Sequence, residues 1–560
     1  MAKKDTNWWD KLGKPQYGGE MVLRINTDIA AFDPYIAGHH LQIYSAWLES
    51  LFTDDWKADP AVYRYELGFP PLQFVKGYLA ESGEFVDSST YVVHLRKGIR
   101  WQNIAPVNGR EFTADDVAYH YHRLYGLGSG FTQPSPTRGA ADVVFQSLKS
   151  VTASDKYTVA FKWDISNPEF ITEAMVVNHN PRSCIVAREV VEKWGDLNDW
   201  HHAIGTGAFI LQDVIPGRAA TLVRNPDYRG YDERYPQNKL PYVDKLKVLI
   251  IPDQSEAVEA MRAGKIDAVE ELTFQQAQSL IKTNPGMLQY TRPKVNSGTI
   301  DPRNDRPPFN DIRVRKAMQM AIDLPTIVRT CYHNTADPYP QMLTSSHLEG
   351  WGFPYKAWPQ DLKDEYSYNP TAARELLTEA GYPNGFKTNI IANSDEPTDV
   401  LQTVKSYFAA VGIDMEIRGL GNAAYTECRN DRKYDQMVDN INDGTLGMVN
   451  EPINHLKRLR TGFKNNYSMI SDPVFDAFYP AALASKNLEE LKQIVRDANE
   501  RVARQHYTIS LVQPHLFGLV QPWLKGHNGQ FGAQTDHNQL LSFYLARFWI
   551  DQKLKKSMGH

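Results

Sequence analysis

The chain has 560 residues and a net charge of −5, with 42% hydrophobic and 23% charged residues. That length calls for several domains, and the balance is that of an ordinary globular protein. The net charge gives no sign of a nucleic-acid partner, and no stretch approaches the roughly 20 apolar residues of a membrane helix.

Residues 1–17 are polar and basic with no apolar core, and read as a tether or arm. Gly18-Gly19 opens a strand, Glu20 to Asn26. His39 and His40 end the loop that follows, where a solvated pair and a ligand contact both stay open. A helix is expected over 41–52. Tyr91, Val93 and Leu95 alternate with Val92 and His94, the period of a strand. Thr113 is a good N-cap, with Asp115 and Asp116 in the first turn, for a helix reaching about Tyr125. His120 and His122 fall on different faces of it and read as structural. Residues 151–163 form a hairpin around Ser154-Asp155-Lys156.

The segment 205–270 reads as hairpin, strand, helix and strand. The strands are 208–214 and 219–223 about the Pro216-Gly217 turn, then 247–251. The helix 255–263 is stopped by Gly264, and 266–269 closes the unit. A helix is expected over 273–283. Paired prolines at 307 and 308 precede another, whose Arg313, Arg315 and Lys316 read as a solvated, salt-bridged face. Asn369 caps and Pro370 starts the next helix, ended by Gly381. Strands 387–392 and 413–417 flank a helix over 401–411. A helix from Tyr425, a strand 434–440, a loop 441–451, a helix 485–506 and a strand 509–520 follow. Such alternation is that of an α/β lobe.

Enzyme chemistry is not legible. There is no GxSxG, HExxH or phosphate-binding GxxxxGK[ST]. Gly126 to Gly130 is glycine-rich but follows no strand, and Asp115-Asp116 is accounted for as a helix start. Three cysteines, Cys184, Cys331 and Cys428, make neither a disulfide framework nor a zinc set. No catalytic residue, no metal ligand set and no cofactor is expected. Eleven per cent aromatic residues suit either a ligand cleft or a large core.

GTGAF (205–209), the Pro216-Gly217-Arg218 turn, LVRNPDY (222–228), PYVDKL (241–246), IIPD (250–253) and AVEAMRAGKIDAV (257–269) occur in this order. Ala31 to Tyr35, Tyr78 to Ser82, Pro307 to Met318 and Tyr368 to Pro383 add further landmarks. Together they resemble the extracellular (periplasmic) solute-binding proteins of ABC transporters, family 5, the oligopeptide, dipeptide and nickel type. The resemblance implies an α/β, two-lobed periplasmic-binding-protein (Venus-flytrap) fold with an extra inserted domain and two crossover hinge strands. Residues 1–45, 205–294 and 512–560 would form the first lobe, 46–204 an inserted subdomain packed on it, and 295–511 the second lobe. The crossings would lie near 295–300 and 509–515, with Gly298 as a pivot.

It further implies a binding component of an ABC importer, not an enzyme. The partners are a small solute and the membrane permease, with no nucleic acid, and the protein acts as a monomer. It would work at the periplasmic or extracellular face of the cytoplasmic membrane, lipid-anchored in a precursor whose leader this sequence lacks. The solute is a peptide or peptide-like molecule; an oligosaccharide or other small solute is the alternative, and a glycosidase-like enzyme the rival class. The expected ligand contacts are His39, His40, Asn440, Asn442, Asp443, Met448, Glu451, Gln513 and His515. Met448 stands where the resemblance places an amine-binding aspartate, with Asp443 and Glu451 as substitutes.

Overall fold

The computed structural model describes residues 7–29, 31–36, 41–44, 46–62, 72–136, 147–165, 184–348, 350–442, 444, 446–448, 452–527 and 541–560. His39, His40, Asp443 and Glu451 lie outside these. The chain forms two compact units, Met1–Arg292 with Phe517–His560, and Pro293–Leu516.

The first unit contains a four-stranded sheet in which Glu20–Ile25 runs parallel to Lys245–Ile250, followed by Ala219–Arg224 and Phe209–Ile215 as an antiparallel hairpin. A second, fully antiparallel sheet orders Ala80–Asp87, Thr90–Leu95, Thr158–Trp163 and Leu148–Asp155. Helix Ala114–Tyr125 begins with a capping box between Thr113 and Asp116. Its Arg123 donates two bonds, of 2.9 and 2.6 Å, to the fully buried Asp33. Such an ion pair is costly to break from one side, because the remaining charge stays buried. His120 is buried, and His122 bonds Ser129 and the Val151 carbonyl, so both are structural as read.

The helix expected over 41–52 is a single turn, Leu41–Tyr44. Beyond it the carbonyls of Ala46 and Trp47 accept bonds from Phe209 and Gly207 instead of closing further helical turns. The GTGAF glycines permit this approach. A Cβ on Gly205 would lie 1.7 Å from the Trp47 oxygen, and one on Gly207 2.7 Å from its carbonyl carbon. Only a residue without a side chain fits there.

The second unit is built on a five-stranded sheet in the order Ile413–Leu420, Phe386–Asn393, Met437–Asn440, Thr299–Pro302 and Ile509–Ser510. The Phe386–Asn393 strand runs parallel to both its neighbours, and Thr299–Pro302 antiparallel to both of its own. Helices Ile312–Met320, Leu324–Cys331, Pro370–Glu379 and Asp399–Ala410 supply apolar faces to one core with the sheet, around Ile300, Met318, Leu377, Ile390 and Phe408. Parallel strands joined through helices are the geometry that such an alternating sequence demands.

Three expectations change here. Arg315 is buried, not solvated: its guanidinium donates to the carbonyls of Phe309, Gln505 and His506 at 2.6–2.9 Å. It thereby satisfies the open end of helix Leu488–Gln505, whose last carbonyls have no partner inside the helix. Arg313 and Lys316 pair with Asp311 and Glu365, as a salt-bridged face should. Gly298, read as a pivot, lies within the second unit, bonded to Val512 and Leu511 through its own N–H and C=O. The chain changes units at Arg292–Pro293 and Leu516–Phe517 instead. The strand expected over 509–520 is two, Ile509–Ser510 and Gln513–Val520.

Candidate functional site

Strand Met437–Asn440 ends at the loop that the sequence singled out, and the residues around it divide into structural and available groups. Asn440 is 1% exposed. Its amide donates to Asp301 and accepts 3.2 Å from Arg429, so it stabilises the sheet and is not free to meet a ligand. Gln513 is fully buried. Its Nε2 donates to the carbonyls of Lys294 and Gly447 at 2.8 Å each, and its Oε1 accepts from Ser345 at 3.1 Å. Every polar position of that side chain is used inside the unit, so the expected contact is corrected to a scaffold role. Met448 is 1% exposed. Its backbone bonds Leu343 and Ser345, and its buried thioether offers no charge to an ammonium group.

Asn442 is different. It is exposed, its carbonyl accepts 2.6 Å from the Lys294 ammonium, and its amide donates to Glu396. Three positions earlier in the chain is Asp439, whose Oδ1 accepts 2.8 Å from the Ile441 N–H. Burial pushes the Asp439 carboxyl up to about 7; the Ile441 bond opposes this, while the like charges of Glu396 and Asp301 add to it. Asp301 is pushed up to about 6, again by burial first, against hydrogen bonds from Asn440 and Thr299 and the charge of Arg429. Carboxylates crowded in a poorly solvated place gain most from an incoming cation. Neither Asp439 nor Glu396 was singled out by the sequence, because acids are numerous and only the strand's end brings these two into one field.

His515 belongs to a second group. Its Nε2 lies 3.1 Å from Asp337 Oδ1, and His347 Nε2 lies 2.8 Å from Asp337 Oδ2. Asp337 is on the short strand Ala336–Asp337, paired with Pro514 and Gln513. Burial works against its charged form, yet the two imidazoles outweigh burial and hold the carboxyl well below the usual carboxylate range. The two histidines stand 10 and 178 positions from Asp337, so no local spacing could reveal the group.

Residues 75–462 match the bacterial extracellular solute-binding proteins, family 5 (middle). The heme-binding protein A of Haemophilus influenzae is 25% identical over 472 residues, 80% of this chain and 81% of its own. A glutathione-binding protein GsiB of Escherichia coli is 25% identical over 411 residues, 72% and 69% of the two chains. Among solved structures, the substrate-binding protein CtaP of Listeria monocytogenes superposes with a TM-score of 0.74 at 19% identity, covering 96% of this chain and 100% of that one. The periplasmic binding protein DppA of Helicobacter pylori, in complex with the peptide STSA, gives 0.69 at 20% identity over 96% and 99%.

Proposed function

Because the chain belongs to family 5 of the bacterial extracellular solute-binding proteins, we propose that its solute is peptide-like and that the solute's free amine docks between Asp439 and Glu396. The chain is the substrate-binding component of an ABC importer and works on the extracellular side of the cytoplasmic membrane. There it takes up solute for delivery to a permease, as a monomer tethered to the membrane.

The observation that carries the ligand reading is the Asp439 carboxyl. It is held near neutrality by burial and by two other acids, at the end of a strand whose following loop is exposed at Asn442. An ammonium group arriving there relieves like-charge crowding and makes a charge-assisted bond. Lys294, held against Asn442, is a cation suited to the carboxylate end of a short peptide. The glutathione-binding relatives and the peptide-bound structural neighbour, by their names, handle ligands of this kind. The buried Met448 moves the expected amine contact away from its place in the resembled pattern.

Mass spectrometry of the freshly purified protein identifies a retained solute. Calorimetry with short peptides and their N-acetyl derivatives then tests the amine. The free amine should bind about tenfold tighter or better, the worth of one charge-assisted hydrogen bond, and Asp439→Asn should abolish the difference. Equal affinity for both forms, or a retained oligosaccharide, overturns the reading.

A further inference from the structure

We propose that Asp337, His347 and His515 bind one divalent transition-metal ion through two imidazole nitrogens and a carboxylate oxygen. The donor atoms of the three residues all lie within 4.8 Å of one another. Both imidazoles turn Nε2 toward the same carboxylate, at 2.8 and 3.1 Å. With metal–ligand bonds of about 2.0–2.2 Å, neighbouring donors around one ion stand roughly 3 Å apart. Each imidazole nitrogen therefore stands about one edge of a coordination shell from a carboxylate oxygen, and the two nitrogens lie within 4.8 Å of each other. An ion replaces the two N–H···O bonds by drawing the imidazoles in around it. Each imidazole gives up its Nε2 proton, to Nδ1 if neutral or to solvent if protonated.

The frame behind the donors is firm. The His515 N–H bonds the Thr335 carbonyl at 2.9 Å. The His347 N–H bonds Ser345 Oγ at 3.2 Å, and that hydroxyl donates to the buried Gln513. Gln513 is in turn the register partner of Asp337. The side chains of Asp337, His347 and His515 are 15, 22 and 27% exposed, enough to admit an ion and leave coordination positions open. Two nitrogens and one oxygen favour zinc, nickel or copper over calcium or magnesium. This site does not depend on the nature of the transported solute.

Chelator-stripped protein is titrated calorimetrically with zinc, nickel and copper salts, beside Asp337→Asn and the double variant His347→Ala/His515→Ala. One saturable site is expected in the wild type, weakened about a hundredfold or more in each variant, because loss even of an outer-shell partner costs about 10–100-fold. Other histidines contribute equally to all three proteins, so the difference is the readout. X-ray absorption of the metal-loaded wild type is independent of how the variants fold, and should show two imidazoles in the first shell. An all-oxygen shell, or variants that stay folded and bind unchanged, overturns the proposal.

Discussion

At Asp439 stability and the proposed binding pull in opposite directions. Its folded-state pKa is raised from 3.8 to about 7, so the fold prefers the protonated carboxyl. That preference contributes fully below the unfolded value and is lost as pH rises through about 7. Asp439→Asn removes the charge without changing shape. It should stabilise the protein by about 1–3 kcal/mol at pH 8 and by much less at pH 5, read as the shift in urea midpoint at each pH. An unchanged difference between the two pH values would remove the burial argument. Residues of this kind were the least legible in the sequence. Asn440 and Gln513 sit where ligand contacts were expected, but an amide on a strand serves equally well to satisfy a buried carboxylate or a set of carbonyls. Only the partners decide, and those are supplied by Asp301, Lys294 and Gly447.

Helices and strands were far more legible, because their ends are written locally. Thr113 and Asn369 cap helices as read, while the helices expected over 273–283 and 485–506 begin one and three residues later, behind Thr273 and Asn487 as caps. The failures came where a distant segment intervened. Leu41–Tyr44 stops after one turn because Gly205 and Gly207 bring the segment leading into strand Phe209–Ile215 against Trp47. Gly205→Ala should therefore cost at least about 3 kcal/mol, since the clash is with backbone that cannot yield. Gly98 has a φ of +76°, but a methyl group on it would meet nothing within 4 Å, so Gly98→Ala should cost only about 1 kcal/mol. Chemical denaturation of both variants checks the ordering. Arg315 is the same lesson in a helix: the helical spacing that suggested a wet face did not foresee the carbonyls of Gln505 and His506 above it. Arg315→Met should lose about 2 kcal/mol by stranding those acceptors, measured by the same urea titration.

For the whole molecule, the chain's two passages between units have unequal consequences. Residues 293–516 are continuous, and their core draws on the sheet and helices of that segment alone. The other unit is split: Phe517, Leu519 and Val520 pair with Ala268–Leu272, and the Trp523 indole donates 2.6 Å to the buried Asp267. Asp267 also accepts from the Val22 N–H at 2.7 Å, so one carboxylate ties together three distant parts of the chain. Residues 293–516 expressed alone should unfold in one cooperative urea transition. Residues 1–292 alone should lack a cooperative transition until the 517–560 segment is supplied, because Asp267 would otherwise keep a buried charge without its indole donor. Circular dichroism through the titration decides it. A cooperative transition for 1–292 alone would mean that the parallel pairing of Glu20–Ile25 with Lys245–Ile250 is sufficient for that unit, and that the returning C-terminal strand adds to a fold already made.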